Sequence, residues 1–161
     1  MNAAPEFTIR LARRGDLDRL VVLEKLFSYD RISRRSFSRM IGSETCQVLV
    51  AERSGDHAIL GNFVLFTRRR SKTARFYSLM IDPSVRRLGV GRALFAGAEA
   101  AVKAKGCTKV RCEVKRTNAP SRALLARFGY NEAGELPGYY DDGTDGIRME
   151  KHLTTQEASA A

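Results

Sequence analysis

The residues best suited to chemistry lie in one short run, Arg86-Arg87-Leu88-Gly89-Val90-Gly91-Arg92. An apolar, strand-like segment, Phe76 to Ile81, precedes it and is closed by Asp82-Pro83. An alanine-rich segment with helical spacing follows. In that segment Val90, Leu94, Ala98, Ala101 and Val102 share one face, and Arg92, Glu99 and Lys103 share another. The order is therefore strand, glycine-containing turn, helix. Two glycines let the backbone approach a ligand, and the first-turn amides of a helix point free N–H groups outward. With the positive end of the helix dipole and three arginines added, the place suits a pyrophosphate. The spacing is neither that of a P-loop nor that of the dinucleotide fingerprint. A basic turn that holds nothing is the competing reading, and the loop alone leaves both open.

A second candidate is Glu113. Lys109 to Lys115 alternates strictly, with Val110, Cys112 and Val114 on one side and Lys109, Arg111, Glu113 and Lys115 on the other. Spacing alone makes Glu113 a surface ion-pair partner among basic neighbours. The two histidines, His57 and His152, are too few and too far apart for a metal site, and none is expected.

These residues need elements to hold them. Phe7 to Leu11 reads as an opening strand, and a helix starting at Gly15-Asp16 carries Leu17, Leu20, Val21, Leu23 and Leu26-Phe27. Tyr29 and Asp30 break that pattern, and a second short helix begins at Ser33 with Phe37, Met40 and Ile41 apolar. Cys46–Glu52 and Ala58–Thr67 read as a hairpin about the turn Ser54-Gly55-Asp56. After the strand Arg75–Ile81 and the long helix, Gly106 is a stop. Lys109–Lys115 is the next strand, and Asn118-Ala119-Pro120-Ser121 opens a short helix that ends at Phe128-Gly129-Tyr130. Residues 131–140 and 146–153 close the fold as two strands around the loop 141–145. The order βααβββαβαββ gives an α/β fold, a mixed and mostly antiparallel sheet with helices on both faces. Residues 1–153 are expected to form one domain and 154–161 a disordered tail.

Several of these segments together resemble a known family. Arg-x-x-Gly-x-Gly after a strand ending in Asp-Pro is similar to the acetyl-CoA-binding motif of the GNAT (Gcn5-related) N-acetyltransferases. Within that family the likeness is to bacterial ribosomal-protein-alanine and other protein N-terminal acetyltransferases. It continues through Glu113-Val114, Asn118-Ala119, Phe128-Gly129-Tyr130, Tyr139-Tyr140 and Asp145-Gly146-Ile147-Arg148-Met149. It covers residues 60–153 well and the first 60 in element order only.

The resemblance implies a single GNAT-like domain in which two adjacent strands splay apart to admit acetyl-CoA. It implies that backbone groups of Leu79, Met80 and Ile81 hold the pantetheine arm and the thioester carbonyl. Amides and arginines from Arg86, Arg87, Leu88, Gly89, Val90, Gly91 and Arg92 would hold the pyrophosphate, with Asn118 on the far side. These strand residues are equally explained as core, and both roles are compatible because the backbone does the binding. Glu113 matches the family's general base, acting through water, which reverses its reading as a surface charge. Tyr139 and Tyr140 match an aromatic pair that binds the acceptor. Tyr29 lies at the junction flanking the acceptor site, whereas Phe27 and Phe37 read as core. The family's proton donor is a tyrosine at the position of Leu125, and leucine donates nothing. Tyr77, Tyr130, Tyr139 and Tyr140 are the substitutes, with Tyr140 the choice for acceptor contact and for the acid and Tyr130 reading as core; alternatively the thiolate leaves unassisted or takes a proton from water.

Composition sets bounds on the rest. The 161 residues suit one core without disulfides or metals. No apolar run reaches the roughly 20 residues of a membrane span, and Met1–Arg14 is no signal peptide. Cys46, Cys107 and Cys112 read as reduced, packed thiols in a cytoplasm. The formal net charge of +10 admits ribosomal, acidic-protein or nucleic-acid partners, or a solvated basic surface around a polyanion site. The function expected is transfer of an acetyl group from acetyl-CoA to an amine, chiefly a protein or peptide N-terminal α-amine. Small amines, lysine side chains and a non-catalytic CoA sensor are the alternatives, and the chain is expected to be a monomer or dimer.

Overall fold

In the computed structural model, which describes residues 6–26 and 32–153, the strands form one seven-stranded sheet. In chain order they are β1 (Phe7–Leu11), β2 (Cys46–Arg53), β3 (Ile59–Phe66), β4 (Thr73–Ile81), β5 (Lys109–Lys115), β6 (Asn131–Leu136) and β7 (Gly146–His152). In space they run β1-β2-β3-β4-β5-β7-β6. The helices are α1 (Leu17–Glu24), α2 (Arg34–Met40), α3 (Val90–Ala104) and α4 (Ala119–Arg127). The expected order of elements holds throughout. The β1–β2, β2–β3, β5–β7 and β6–β7 pairings are antiparallel. The parallel ladder of β4 with β5 joins Thr73–Arg75 to Lys109–Arg111.

Two compact units interleave along the sequence. One takes the chain up to Thr67 plus Tyr77–Ala101; the other takes Arg68–Phe76 and the chain from Val102 onward. In the first, Leu17, Leu20 and Leu23 of α1 and Phe37 of α2 pack on Cys46, Val48 and Val50 of β2 and on Val64 of β3. Each buried aliphatic side chain contributes about 1.5–3 kcal/mol. Leu94 and Phe95 of α3 are buried too, and Phe95 meets Phe63 edge-to-face with ring centroids 4.9 Å apart. A glycine permits α3 to lie close to β1, since a Cβ on Gly97 would sit 2.8 Å from Ile9 Cγ2. In the second unit, Val110, Cys112 and Val114 are buried while their neighbours on β5 are half-exposed, as the alternation required.

Three boundaries differ from expectation. The first helix begins at Leu17, after a 3-10 turn over Arg14–Asp16, and stops at Glu24. Leu26 is consequently exposed, at 51%, rather than part of the apolar face. The buried Glu24 carboxylate accepts the Ile32 N–H at 3.1 Å, so it serves the chain beyond the helix end. Strand β4 starts two residues earlier than read, at Thr73. Strand β6 stops at Leu136 instead of continuing to Tyr140, because Pro137 cannot donate to a ladder and Gly138 turns the chain at φ +60°. Phe27, Tyr29 and the tail 154–161 lie outside the described residues.

Arg10 ties β1 to the start of the first helix. Its guanidinium grips Asp16 at 2.7 and 2.9 Å and donates from Nε to Glu52 at 2.9 Å. Asp16 also accepts the Arg13 N–H at 2.8 Å. Burial works to raise the Asp16 pKa, but the hydrogen bonds from Arg10 and Arg13 outweigh it and hold the carboxylate below its ordinary range. A depressed carboxylate pKa contributes stability that is present above pH ~4 and lost as pH falls through the folded-state value. Arg10→Met leaves Asp16 buried without its guanidinium counter-charge, and is expected to cost about 3 kcal/mol at pH 7. Urea unfolding at pH 7 and pH 3 checks this: the difference between parent and variant should shrink at the lower pH.

Candidate active site

In the first unit the glycine-containing loop is built by its flanks. Asp82 Oδ1 accepts the Ser84 N–H at 2.9 Å and the Ser84 hydroxyl at 2.8 Å, capping a 3-10 turn that Pro83 opens. Arg86, Arg87, Leu88 and Gly89 are then exposed, while Val90 is buried and anchors α3. Arg87 (φ +67°) and Gly89 (φ +87°) both take left-handed backbone. The Gly89 carbonyl accepts the Ala93 N–H at 3.0 Å, so the amides of Val90, Gly91 and Arg92 form the open first turn of a fifteen-residue helix. At Gly91 a Cβ would sit 2.9 Å from Ile81 Cδ1, so glycine lets the helix start approach β4. Exposed Arg86, Arg87 and Arg92 and the open helix start together fit a pyrophosphate.

Leu79, Met80 and Ile81 are half-buried on β4, and the Met80 side chain packs on the α1–α2 core. The Met80 carbonyl lies 2.7 Å from where a Cβ on Gly61 would be, so glycine is required on β3 for the strands to approach there. Tyr77 is exposed and stacks edge-to-face on Phe66 at 5.3 Å.

In the second unit Glu113 is not a surface charge. Its side chain is 11% exposed, and Oε2 accepts from Arg75 Nε at 3.1 Å. Arg75 also donates to the Tyr139 hydroxyl at 3.4 Å, and the Tyr139 and Tyr140 rings meet edge-to-face at 5.1 Å. The turn after β6 sets this pair in place: Gly138 N–H donates to Asp145 at 2.8 Å, Gly143 N–H to the Tyr140 carbonyl at 2.8 Å. Lys115 bonds Asp142 at 2.9 Å and lies 5.3 Å from the centre of the Tyr140 ring. Burial, then the neighbouring Tyr139 and the Glu113 charge, push the Tyr140 phenol up to about 12. Tyr140 therefore keeps its proton at any physiological pH and offers a neutral hydroxyl as a hydrogen-bond donor.

Asn118 caps α4, its Oδ1 accepting the Ser121 N–H at 3.2 Å, which leaves its amide N–H groups outside the cap. Leu125 is buried, and Tyr130 is core as expected, so Tyr130 is removed as a proton donor. Cys46, Cys107 and Cys112 are buried free thiols. Among the described residues no cluster of His, Cys, Asp and Glu is arranged to hold a metal. No described helix is long and apolar enough to cross a membrane. Arg75 was missed from sequence. Its signal was a lone charge early in an apolar strand, which means something only once β5 is known to be its neighbour.

Comparison with known proteins gives the class of this protein. The sequence profile of the Acetyltransferase (GNAT) family matches residues 16–130, and the chain belongs to that family. It is an N-acetyltransferase, of a family whose fold uses acetyl-CoA. It is 26% identical over 155 residues to an N-alpha-acetyltransferase of Sulfurisphaera tokodaii, covering 89% of this chain and 92% of that one. It is 34% identical over 73 residues to the [Ribosomal protein bS18]-alanine N-acetyltransferase of Escherichia coli, covering 45% and 49% of the two chains. The fold matches the crystal structure of the ribosomal-protein-S18-alanine N-acetyltransferase from Escherichia coli with a TM-score of 0.79, at 24% identity over 93% of this chain and 96% of the other. It matches that of Ard1 from Thermoplasma volcanium with the same score, at 21% identity over 92% and 98%.

Proposed function

We propose that this N-acetyltransferase acetylates the α-amine of a protein or peptide N-terminus, in the cytoplasm, with Glu113 as general base. The observation that carries the reading is the sheltered carboxylate of Glu113, oriented by Arg75 and bordered by Tyr139 and Tyr140. Acetyl-CoA supplies an activated acetyl thioester. The exposed arginines and amides of Arg86–Arg92 bind its pyrophosphate, and the Leu79–Ile81 backbone and Asn118 bind the arm. An α-amine is protonated in part at neutral pH, and attack needs its lone pair. A carboxylate within hydrogen-bond reach, directly or through one water, takes the proton. Arg75 occupies one lone pair of Oε2, and a carboxylate has others to offer. Tyr140, held protonated, is the donor for the leaving thiolate in place of the tyrosine that Leu125 replaces. Tyr139 and Tyr140 present aromatic surface to the first residues of the acceptor.

The names of two relatives, an N-alpha-acetyltransferase and a ribosomal-protein-alanine N-acetyltransferase, support an N-terminal acceptor. Three free, buried thiols are consistent with a reducing compartment. The test is thiol release from acetyl-CoA with two matched peptides, one with a free α-amine and acetylated lysines, one the reverse. Release is expected with the first. Release with the second alone would move the acceptor to lysine, and release only with small amines such as polyamines would exclude a peptide acceptor.

A further inference from the structure

Arg148 stands directly across from Glu113 in the antiparallel β5–β7 ladder, so the two side chains leave the sheet on the same face. Arg75 is on that face too, since it holds Glu113. Yet the carboxylate bonds Arg75, and the Nε of Arg148 is buried with no hydrogen-bond partner among the described residues. A guanidinium N–H withdrawn from water in this way calls for an acceptor. On its other side Arg148 faces Gly134 of β6, which carries no side chain, and a Cβ there would meet nothing within 4 Å. The wider surroundings are cationic: through Leu153 the second unit carries fifteen lysines and arginines against seven carboxylates. A positive setting also disfavours the ammonium form of an incoming amine.

We infer that this face reads a carboxylate on the acceptor through Arg148, with Arg75 beside it, so that the preferred acceptors are peptides with Asp or Glu in their first two residues. The inference rests on the peptide-acceptor reading and names the substrate class for the same site. A carboxylate matches the planar fork of an arginine and can take two N–H groups at once, which a lone water cannot. The same chemistry gives a salt dependence, because part of the attraction acts before contact.

The experiment compares Ser-Glu, Ser-Gln and Ser-Lys peptides of otherwise equal sequence, by kcat/KM with acetyl-CoA and by calorimetric binding of the N-acetylated products in the presence of CoA. The parent enzyme is expected to prefer Ser-Glu over Ser-Gln at least tenfold in both, with the ratio falling as salt rises. In Arg148→Gln the ratio is expected to drop to within about twofold of unity, with acetyl-CoA affinity unchanged. Arg75→Gln, which removes the second cation without touching β7, is expected to lower the ratio in part; it covers the case that Arg148→Gln does not fold. A parent that binds the three products equally overturns the inference whether or not turnover is seen. So does an acidic preference that survives Arg148→Gln, or a variant that loses acetyl-CoA affinity instead. Absence of turnover with every peptide defeats the peptide-acceptor reading, and the product-binding ratio still decides the subsite.

Discussion

Acetyl-CoA affinity is expected to fall at least a hundredfold when Arg87→Glu is combined with Gly89→Asp, a change of about 2.7 kcal/mol. Three effects act in the same direction. Glu at 87 puts a negative charge where a positive one is exposed at the start of α3. Asp at 89 adds a second negative charge and a side chain at φ +87°, a conformation that costs a non-glycine residue roughly 1 kcal/mol or more. Any shift that relieves that strain disturbs Gly89, whose carbonyl accepts the Ala93 N–H and so fixes the first turn of α3. A Cβ at 89 meets nothing within 4 Å, so the fold has room for the change and the melting temperature should move little. Calorimetry on the variant decides the matter, and an affinity equal to the parent's would remove the loop from the account.

Glu113→Gln is expected to lower kcat by about a hundredfold or more, the usual yield of a positioned general base, with acetyl-CoA affinity within twofold. Glutamine keeps the shape and can still accept from Arg75, so the aromatic pair beyond it should stay in place. What is lost is the ability to take a proton. The parent rate should stay high below the acceptor amine pKa of about 7.7–8.0, whereas the variant should follow the free-amine fraction and climb through that range. A variant with the parent's rate and pH profile would return Glu113 to the status of an ion-pair partner. Tyr140 adds no limb to either profile below its raised value of about 12.

How much of this was readable in the sequence depended on whether the deciding neighbour was near in the chain. The alternation of Lys109–Lys115 gave β5 to the residue, since side-chain period is a local property. The strand, turn and helix around Arg86–Arg92 were legible for the same reason, although the left-handed backbone of Arg87 was not, because nothing about an arginine announces it. The shelter of Glu113 could not be read. It comes from Arg75, thirty-eight residues away, and from a tyrosine pair carried on the turn after β6. Arg148 was visible only as part of a motif, and its place opposite Glu113 follows from β7 lying next to β5, out of chain order. Where the reading overran, at Leu26 and at residues 137–140, a periodic or apolar pattern continued past a structural stop. The helix stops at Glu24 in the first, and Pro137 with Gly138 ended the second.

The most direct test of the central claim is mass spectrometry of a mixed peptide library incubated with isotopically labelled acetyl-CoA, half with free α-amines and blocked lysines, half the reverse. Label is expected on α-amines, dependent on Glu113 and on the Arg86–Arg92 loop, with acidic residues enriched at the first two positions of the labelled peptides. Label confined to lysine side chains, or no label on any peptide, would contradict it.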